Sequence, residues 1–189
     1  MNTKRTLALL VMVALSGLPV HPADRPGGAR YKDNGDGTVT DRTSGLIWLK
    51  NARCLDVCGG ATPDSYGRLS WIDAAKWVAG LRSGLCGLTD GSKAGAWRLP
   101  TAAEWEAMVA EAKSRGYTDP PLTNAAGNAQ WTRNGDAFDF GNAPFVLYWS
   151  STTDPKDPAY VAVFVFSNGE FTYCDKGGSY NVWPVRSAR

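Results

Sequence analysis

Trp97-Arg98-Leu99-Pro100-Thr101-Ala102-Ala103-Glu104-Trp105-Glu106 is the stretch on which this chain is read. Thr101 and Glu104 have the spacing of a capping box. The Thr101 hydroxyl can accept from the Glu104 N–H, and the Glu104 carboxylate can reach back to the Thr101 N–H. Pro100 holds the chain extended just before the cap. Trp105, Met108, Val109 and Ala112 then recur at helical spacing, so one face is apolar. Gly116 suits the C′ stop. The spacing predicts a helix from Ala102 to about Arg115.

Upstream, Ser70 is the N-cap of another helix, with Asp73 in its first turn. Trp71, Ala74, Ala75, Val78 and Leu81 form its apolar face, and Gly84 is expected to end it. Tyr31 to Lys50 reads as strand, turn, strand, because Thr38-Val39-Thr40 and Leu46-Ile47-Trp48-Leu49 are β-rich. Downstream, Gln130 to Arg133 is expected as a short strand and Val146 to Ser151 as a longer one. Tyr160 to Phe166 and Phe171 to Tyr173 flank Ser167-Asn168-Gly169-Glu170, a hairpin signal. A last strand is expected near Asn181 to Ser187. Two helices followed by a β-rich half give an α+β class.

The chain has 189 residues, which argues for one domain. Residues 1–23 have the form of a secretory signal: Lys4 and Arg5, then an apolar run from Leu7 to Leu15 too short to span a bilayer. Residues 24–29 read as a flexible lead-in, and 30–189 as the single folded domain. The expected location is outside the cytoplasm, either periplasmic or secreted to the cell surface, with no integral membrane segment once the signal is removed. Losing Lys4 and Arg5 leaves 18 basic against 18 acidic residues, a net charge near zero. General affinity for nucleic acid is not expected at that charge. Eight Trp, seven Tyr and six Phe supply an aromatic core.

The one histidine, His21, lies in or beside the signal segment, whose cleavage is open between Ser16 and Ala23. Ser-His-Asp and Cys-His catalysis and His-ligated zinc therefore lack their imidazole in the mature domain. Asp33-Asn34-Gly35-Asp36-Gly37 invites a calcium reading but fails the EF-hand pattern, with glycines at the third and fifth positions and Ser44 at the twelfth. It reads as a tight turn. Glu104 and Glu106 stand two apart on a helix, about 200° around the axis, and cannot act as a facing carboxylate pair. No metal, cofactor or catalytic residue is expected. Four cysteines in an exported chain argue for disulfides over a zinc site. Three connectivities are open. The favoured one is Cys54–Cys86 with Cys58–Cys174, the first tying an early loop to the end of the first helix and the second tying that loop to a late strand.

Several motifs together resemble a known family. They are Asp33 to Asp41, Gly45-Leu46-Ile47-Trp48, Cys86-Gly87-Leu88-Thr89-Asp90-Gly91-Ser92, Trp97 to Thr101, Tyr148-Trp149-Ser150-Ser151-Thr152 and Pro184-Val185-Arg186. In this order they resemble the C-terminal domain family of the Legionella collagen-like adhesin, a bacterial family mostly of unknown function. The resemblance implies a C-type-lectin-like fold of two helices, a mixed twisted sheet and long irregular loops, in an exported setting. In the adhesin the domain is associated with binding sulfated glycans. Cys54 and Cys86 match the family's usual cysteine pair, and Cys58 and Cys174 look like an addition. Where the family's closing strand reads Val-Arg-Pro-Val-Arg, this chain has Val182-Trp183-Pro184-Val185-Arg186. An aromatic residue replaces a basic one, which weakens a sulfated-glycan expectation.

Arg98 to Glu106, Lys176-Gly177-Gly178-Ser179-Tyr180 and Arg186 to Arg189 are also similar to stretches of the formylglycine-generating enzyme family. That family's copper-binding cysteines follow its Gly-Gly-Ser. No cysteine follows Ser179 here, so the resemblance implies the scaffold without the copper chemistry. The Glu-Pro-Asn and Gln-Pro-Asp signatures of calcium-dependent lectins are also missing.

The expected function is thus a non-enzymatic, calcium-independent module that binds a glycan or a protein at the envelope or outside the cell. Its candidate ligand-binding residues are Lys176, Ser179, Tyr180, Asn181 and Trp183. Trp149, Tyr160 and Tyr173 complete a candidate aromatic platform with Tyr180 and Trp183. Two alternatives stand beside it: an enzyme of unknown type on the second scaffold, and a recognition protein diversified around Tyr180 to Trp183.

Overall fold

The computed structural model describes residues 28–54, 56, 59–132, 136–140 and 147–188. Among them are two helices and two antiparallel sheets, an α+β fold. β1 (Tyr31–Asp33), β2 (Thr38–Asp41) and β3 (Leu46–Leu49) form a meander. α1 (Trp71–Gly80) and α2 (Ala102–Ser114) follow. β4 (Leu147–Thr153), β5 (Tyr160–Val165) and β6 (Glu170–Asp175) make the second sheet, and β7 (Val185–Ser187) returns to the first. The sheet orders are β1-β2-β3-β7 and β4-β5-β6. The sheet expected as mixed and antiparallel-rich is laid out as two antiparallel sheets. Parallel pairing survives only as isolated bridges, Asn51 with Asp139 and Tyr148 with Asn181.

The capping box around Thr101 is formed. The Glu104 N–H donates to the Thr101 hydroxyl at 3.1 Å, and the Thr101 N–H donates to Glu104 Oε2 at 2.8 Å. Burial pushes the Glu104 carboxyl up, but the Arg98 guanidinium at 2.5 Å and the Thr101 N–H outweigh it and hold it below the usual carboxylate range. The same stretch ties both sheets to α2. Arg98 and Val185 exchange main-chain hydrogen bonds, the Ser151 N–H donates to Pro100 O, and the Ala102 N–H donates to Thr152 Oγ1. Trp105 is thereby fixed at the centre of the core, stacked on Phe164 with centroids 4.5 Å apart.

α1 begins as expected. Ser70 Oγ accepts from the Asp73 N–H and donates to the Asp73 carboxylate. It ends at Gly80, short of Gly84, because Leu81 turns into extended backbone to bury its side chain. Gly95 then donates to the freed Ala79 carbonyl. Gly116 follows the α2 C-cap at φ +74°, the left-handed stop that glycine adopts without steric cost. The hairpin of β5 and β6 is present. The strand expected at Gln130–Arg133 is reduced to one bridge, Thr123 with Gln130, and Arg133 lies outside the described residues.

Cys54 and Cys86 form a disulfide across a sequence separation of 32 residues. Cys174 forms none with a described cysteine, and Cys58 lies outside the described residues. Closing a loop of that length removes denatured-state entropy worth roughly 3–4 kcal/mol in the chain-entropy account. Replacing both cysteines with serine should lower stability by about that much, measured by urea unfolding. A change under about 1 kcal/mol would mean the loop is held without the bridge. No described helix is long and apolar enough to cross a membrane.

Candidate functional site

The closing segment, residues 176–184, threads between the two sheets. Leu69 and Tyr180 exchange main-chain hydrogen bonds at 3.0 Å, and the Trp71 N–H donates to Lys176 O. A single antiparallel bridge thus joins residues 69–71 to 176–180 as a short ribbon leading into α1, and the turn closed by the Asp64 N–H on Arg68 O stands just ahead of it. A tight turn opens the segment: the Gly177 N–H donates to the Asp175 carboxylate and the Gly178 N–H to the Asp175 carbonyl. A Cβ on Gly178 would meet the Tyr180 ring at 3.0 Å, so glycine is what lets that ring fold back.

The five residues expected to bind ligand separate into two groups. Trp183 is fully buried and is a core residue, not a surface one. Its ring packs on Trp48 and Phe140 with centroids 5.0 and 4.8 Å away, and its Nε1 donates to Leu49 O. The structure corrects that expectation, and the reason is the large apolar area an indole removes from water. Asn181 is also buried. Its amide donates to Leu147 O while its main chain pairs with β4, so it is a stitch between elements.

Lys176, Ser179 and Tyr180 are half-buried on the ribbon. The Lys176 ammonium lies 4.6 Å over the Trp71 ring and donates to Pro158 O at 2.7 Å. The Tyr180 ring meets Trp149 edge-on at 4.7 Å. Its hydroxyl lies against Cys174, whose thiol is the main cause, with burial second, of a phenol held above its ordinary value. Arg68 pulls the other way.

The expected aromatic platform is divided. Trp149 and Trp183 are core. Tyr160 and Tyr173 are exposed, but strand alternation puts them on the opposite face of the β5–β6 ladder from Cys174. Two residues that sequence reading passed over take their place. Tyr66 is 69% exposed, the most exposed large hydrophobic side chain among the described residues, and the Arg68 guanidinium lies 4.9 Å over its ring. Asp64 fixes both: its carboxylate accepts from the Tyr66 and Arg68 N–H groups and pairs with the Arg68 side chain at 2.8 Å. Those bonds, led by the Arg68 N–H, hold the Asp64 carboxyl below its ordinary value. The sequence signal was there as Asp64-Ser65-Tyr66-Gly67-Arg68, an Asx-type turn presenting an aromatic residue.

Two metal readings can be tested on geometry. Cys54, Asp56 and Cys86 converge, but both sulfurs are spent in the disulfide and the Asp56 carboxylate accepts from the Cys86 N–H at 2.6 Å. The acidic turn at 33–37 uses its own side chains. Asp33 accepts from the Gly35 N–H and pairs with Lys50, and Asp36 accepts from the N–H and hydroxyl of Thr38.

What the site offers is a ribbon with exposed aromatic faces and cations beside them. A family model, the Lcl C-terminal domain, matches residues 37–186. The chain belongs to that family. The match to the Lcl C-terminal domain runs from the turn before β2 to the middle of β7, and so takes in both helices, the disulfide and the whole ribbon. No curated protein matches the chain.

Proposed function

We propose that this Lcl C-terminal domain is an exported, non-enzymatic binding module that recognises a glycan or a protein at the bacterial envelope or outside the cell, without calcium. The signal-like residues 1–23 and the disulfide support an oxidising, extracytoplasmic setting. A C-type-lectin-like fold, which the family resemblance implies, belongs to the same reading. The observation that carries the proposal is the ribbon face. There Tyr66 is exposed in a turn with the Arg68 guanidinium over its ring, and half-buried Tyr180 and Lys176 lie on the closing segment bridged to Leu69. Aromatic faces stack on the apolar face of a sugar or on an apolar side chain, while cations fix polar groups at the edge.

The test is a glycan array at physiological salt, with and without EDTA, on mature protein made in an oxidising compartment. The expected result is specific signal that survives EDTA and is lost in Tyr66→Ala and Arg68→Ala. Tyr66 is exposed, so Tyr66→Ala should leave melting unchanged, while Arg68→Ala also loses the exposed pair with Asp64 and is read against its own melting curve. A blank array moves the ligand to an envelope protein, to be sought by capture from envelope extract with the same two variants. Binding that neither variant weakens would overturn this face as the site.

A further inference from the structure

The two edges of the second sheet differ. On the β4 side the edge is taken up: the Trp149 N–H donates to Asn181 O and the Ser151 N–H to Pro100 O. On the β6 side it is open. The Lys176 N–H donates to Ala159 O, which fixes the phase of the β5–β6 ladder. Glu170, Thr172 and Cys174 turn their main-chain groups towards β5, while Phe171, Tyr173 and Asp175 turn theirs outwards. Among the described residues, the outward groups have one partner, the Gly178 N–H on the Asp175 carbonyl. This edge lies in solvent. Glu170, Thr172, Tyr173 and Asp175 are exposed, and Tyr173 is 50% exposed.

An accessible edge invites another strand unless a proline, a bulge or a lysine blunts it. β6 has neither proline nor lysine among its 6 residues, and its register with β5 is unbroken. An apolar patch lies beside it. Tyr160 and Tyr173 are two of the four exposed large hydrophobic side chains among the described residues. They share one face and stand diagonally across the β5–β6 ladder.

We infer that this edge pairs with the same edge of a second copy of the chain, antiparallel about a two-fold axis at Tyr173, joining two three-stranded sheets into one. Main-chain phase and charge select that partner and that register. Outward groups meet only when the axis passes through a residue rather than between two. Centred on Tyr173, all three outward residues are used, Tyr173 opposite itself and Phe171 opposite Asp175. Glu170 then stands opposite Lys176 at both ends. Centred on Thr172, Glu170 would face Cys174; centred on Cys174, Lys176 would face Thr172. Neither of these sets opposite charges across from each other, the arrangement that stabilises a strand pair. The Glu170 side chain is 62% exposed, and the Lys176 ammonium has donors beyond the one on Pro158 O. The axis stands perpendicular to the sheet, so both copies carry residues 176–180 on the same side of it. The pairing does not rest on the ligand face proposed above.

Sedimentation and non-reducing gel electrophoresis of the mature protein test the pairing and its register. The contact is small, so the parent should sediment as a dimer at about 100 μM and dissociate on dilution. Thr172 and the second copy's Cys174 form a non-hydrogen-bonded pair with Cα atoms about 4.5 Å apart, which a disulfide spans. The two Cys174 residues are diagonal to each other at about 7–8 Å, beyond that reach. Thr172→Cys should therefore give a covalent dimer under oxidising conditions, and the parent should give none. Glu170→Lys sets lysine opposite Lys176 and should weaken dimerisation at least about tenfold. Tyr173→Pro removes an outward N–H and leaves the β5 ladder intact, so adding it to Thr172→Cys should abolish the cross-link. A parent that stays monomeric at about 100 μM, a Thr172→Cys protein that runs as a monomer, a parent cross-linked through Cys174 itself, or a Glu170→Lys protein that dimerises as the parent does would each overturn the proposal. Tyr66 and Arg68 are unchanged in these variants, so the glycan array on them reports separately on the ligand face.

Discussion

Trp183→Ala should cost about 3–5 kcal/mol, enough to leave much of the domain unfolded at ambient temperature. The size follows from what the indole does. It is fully buried, and the rings of Trp48, Trp105, Phe138 and Phe140 lie within 5.6 Å of it, centroid to centroid. Removing it opens a cavity that several rigid rings cannot collapse to fill. It also strips the Leu49 carbonyl of the Nε1 donor at 2.7 Å, leaving a buried acceptor unpaired. Trp183→Phe keeps most of the volume, losing the hydrogen bond and the smaller part of the ring packing. It should cost roughly 1–3 kcal/mol. Urea unfolding followed by far-ultraviolet circular dichroism measures both. An alanine variant within about 1 kcal/mol of the parent would contradict this account of the core. The consequence for binding work is direct: loss of a ligand signal in Trp183→Ala would report unfolding, and the surface variants at Tyr66 and Arg68 are the informative ones.

Why Trp183 misleads a sequence reading is plain from its surroundings. It follows a run of polar and glycine residues, Lys176 to Asn181, and precedes a proline, so its segment has the composition of an exposed loop. The pairing of Leu49 with Pro184 and of Trp48 with Val185 draws it inward, and those partners are well over a hundred positions away. Signals that close over a few residues were legible. The Thr101–Glu104 box, the Ser70 cap and the Asn168-Gly169 hairpin each fix their own backbone through neighbours three to five positions along. Non-local features were not legible. Nothing in the order of strands told that β7 would join β3 while β4 to β6 formed their own sheet. The candidate site shows the same division. Its turn at Gly177-Gly178 could be read, but Tyr66 joins it only through the ladder between Leu69 and Tyr180.

Arg30→Met should be nearly as damaging, at about 3–5 kcal/mol, although Arg30 lies beside the lead-in and upstream of the family match. Its side chain is 5% exposed and faces an Asp41 side chain that is 1% exposed. Its guanidinium bridges both oxygens of Asp41 at 3.4 Å, donates to the Met108 carbonyl at 2.9 Å and lies 4.7 Å over the Tyr31 ring. Glu111 of α2 is a further partner at 3.5 Å. One side chain thus clamps β1, β2 and the middle of α2. Without it, Asp41 keeps its hydrogen bonds from the Thr43 N–H and the Ser44 hydroxyl but becomes a buried charge with no counter-ion among these contacts. That is the costly state, so Arg30→Met with Asp41→Asn should recover part of the loss. The double variant should be more stable than the sum of the two single losses requires. Unfolding curves for the four members of the cycle measure this. Strict additivity would mean that the pair does not interact and that Arg30 acts through packing alone. A chain begun at Gly37, where the family match starts, would lack both the clamp and β1. It should then show the instability of Arg30→Met or worse, which places the working boundary of this domain at or before residue 30.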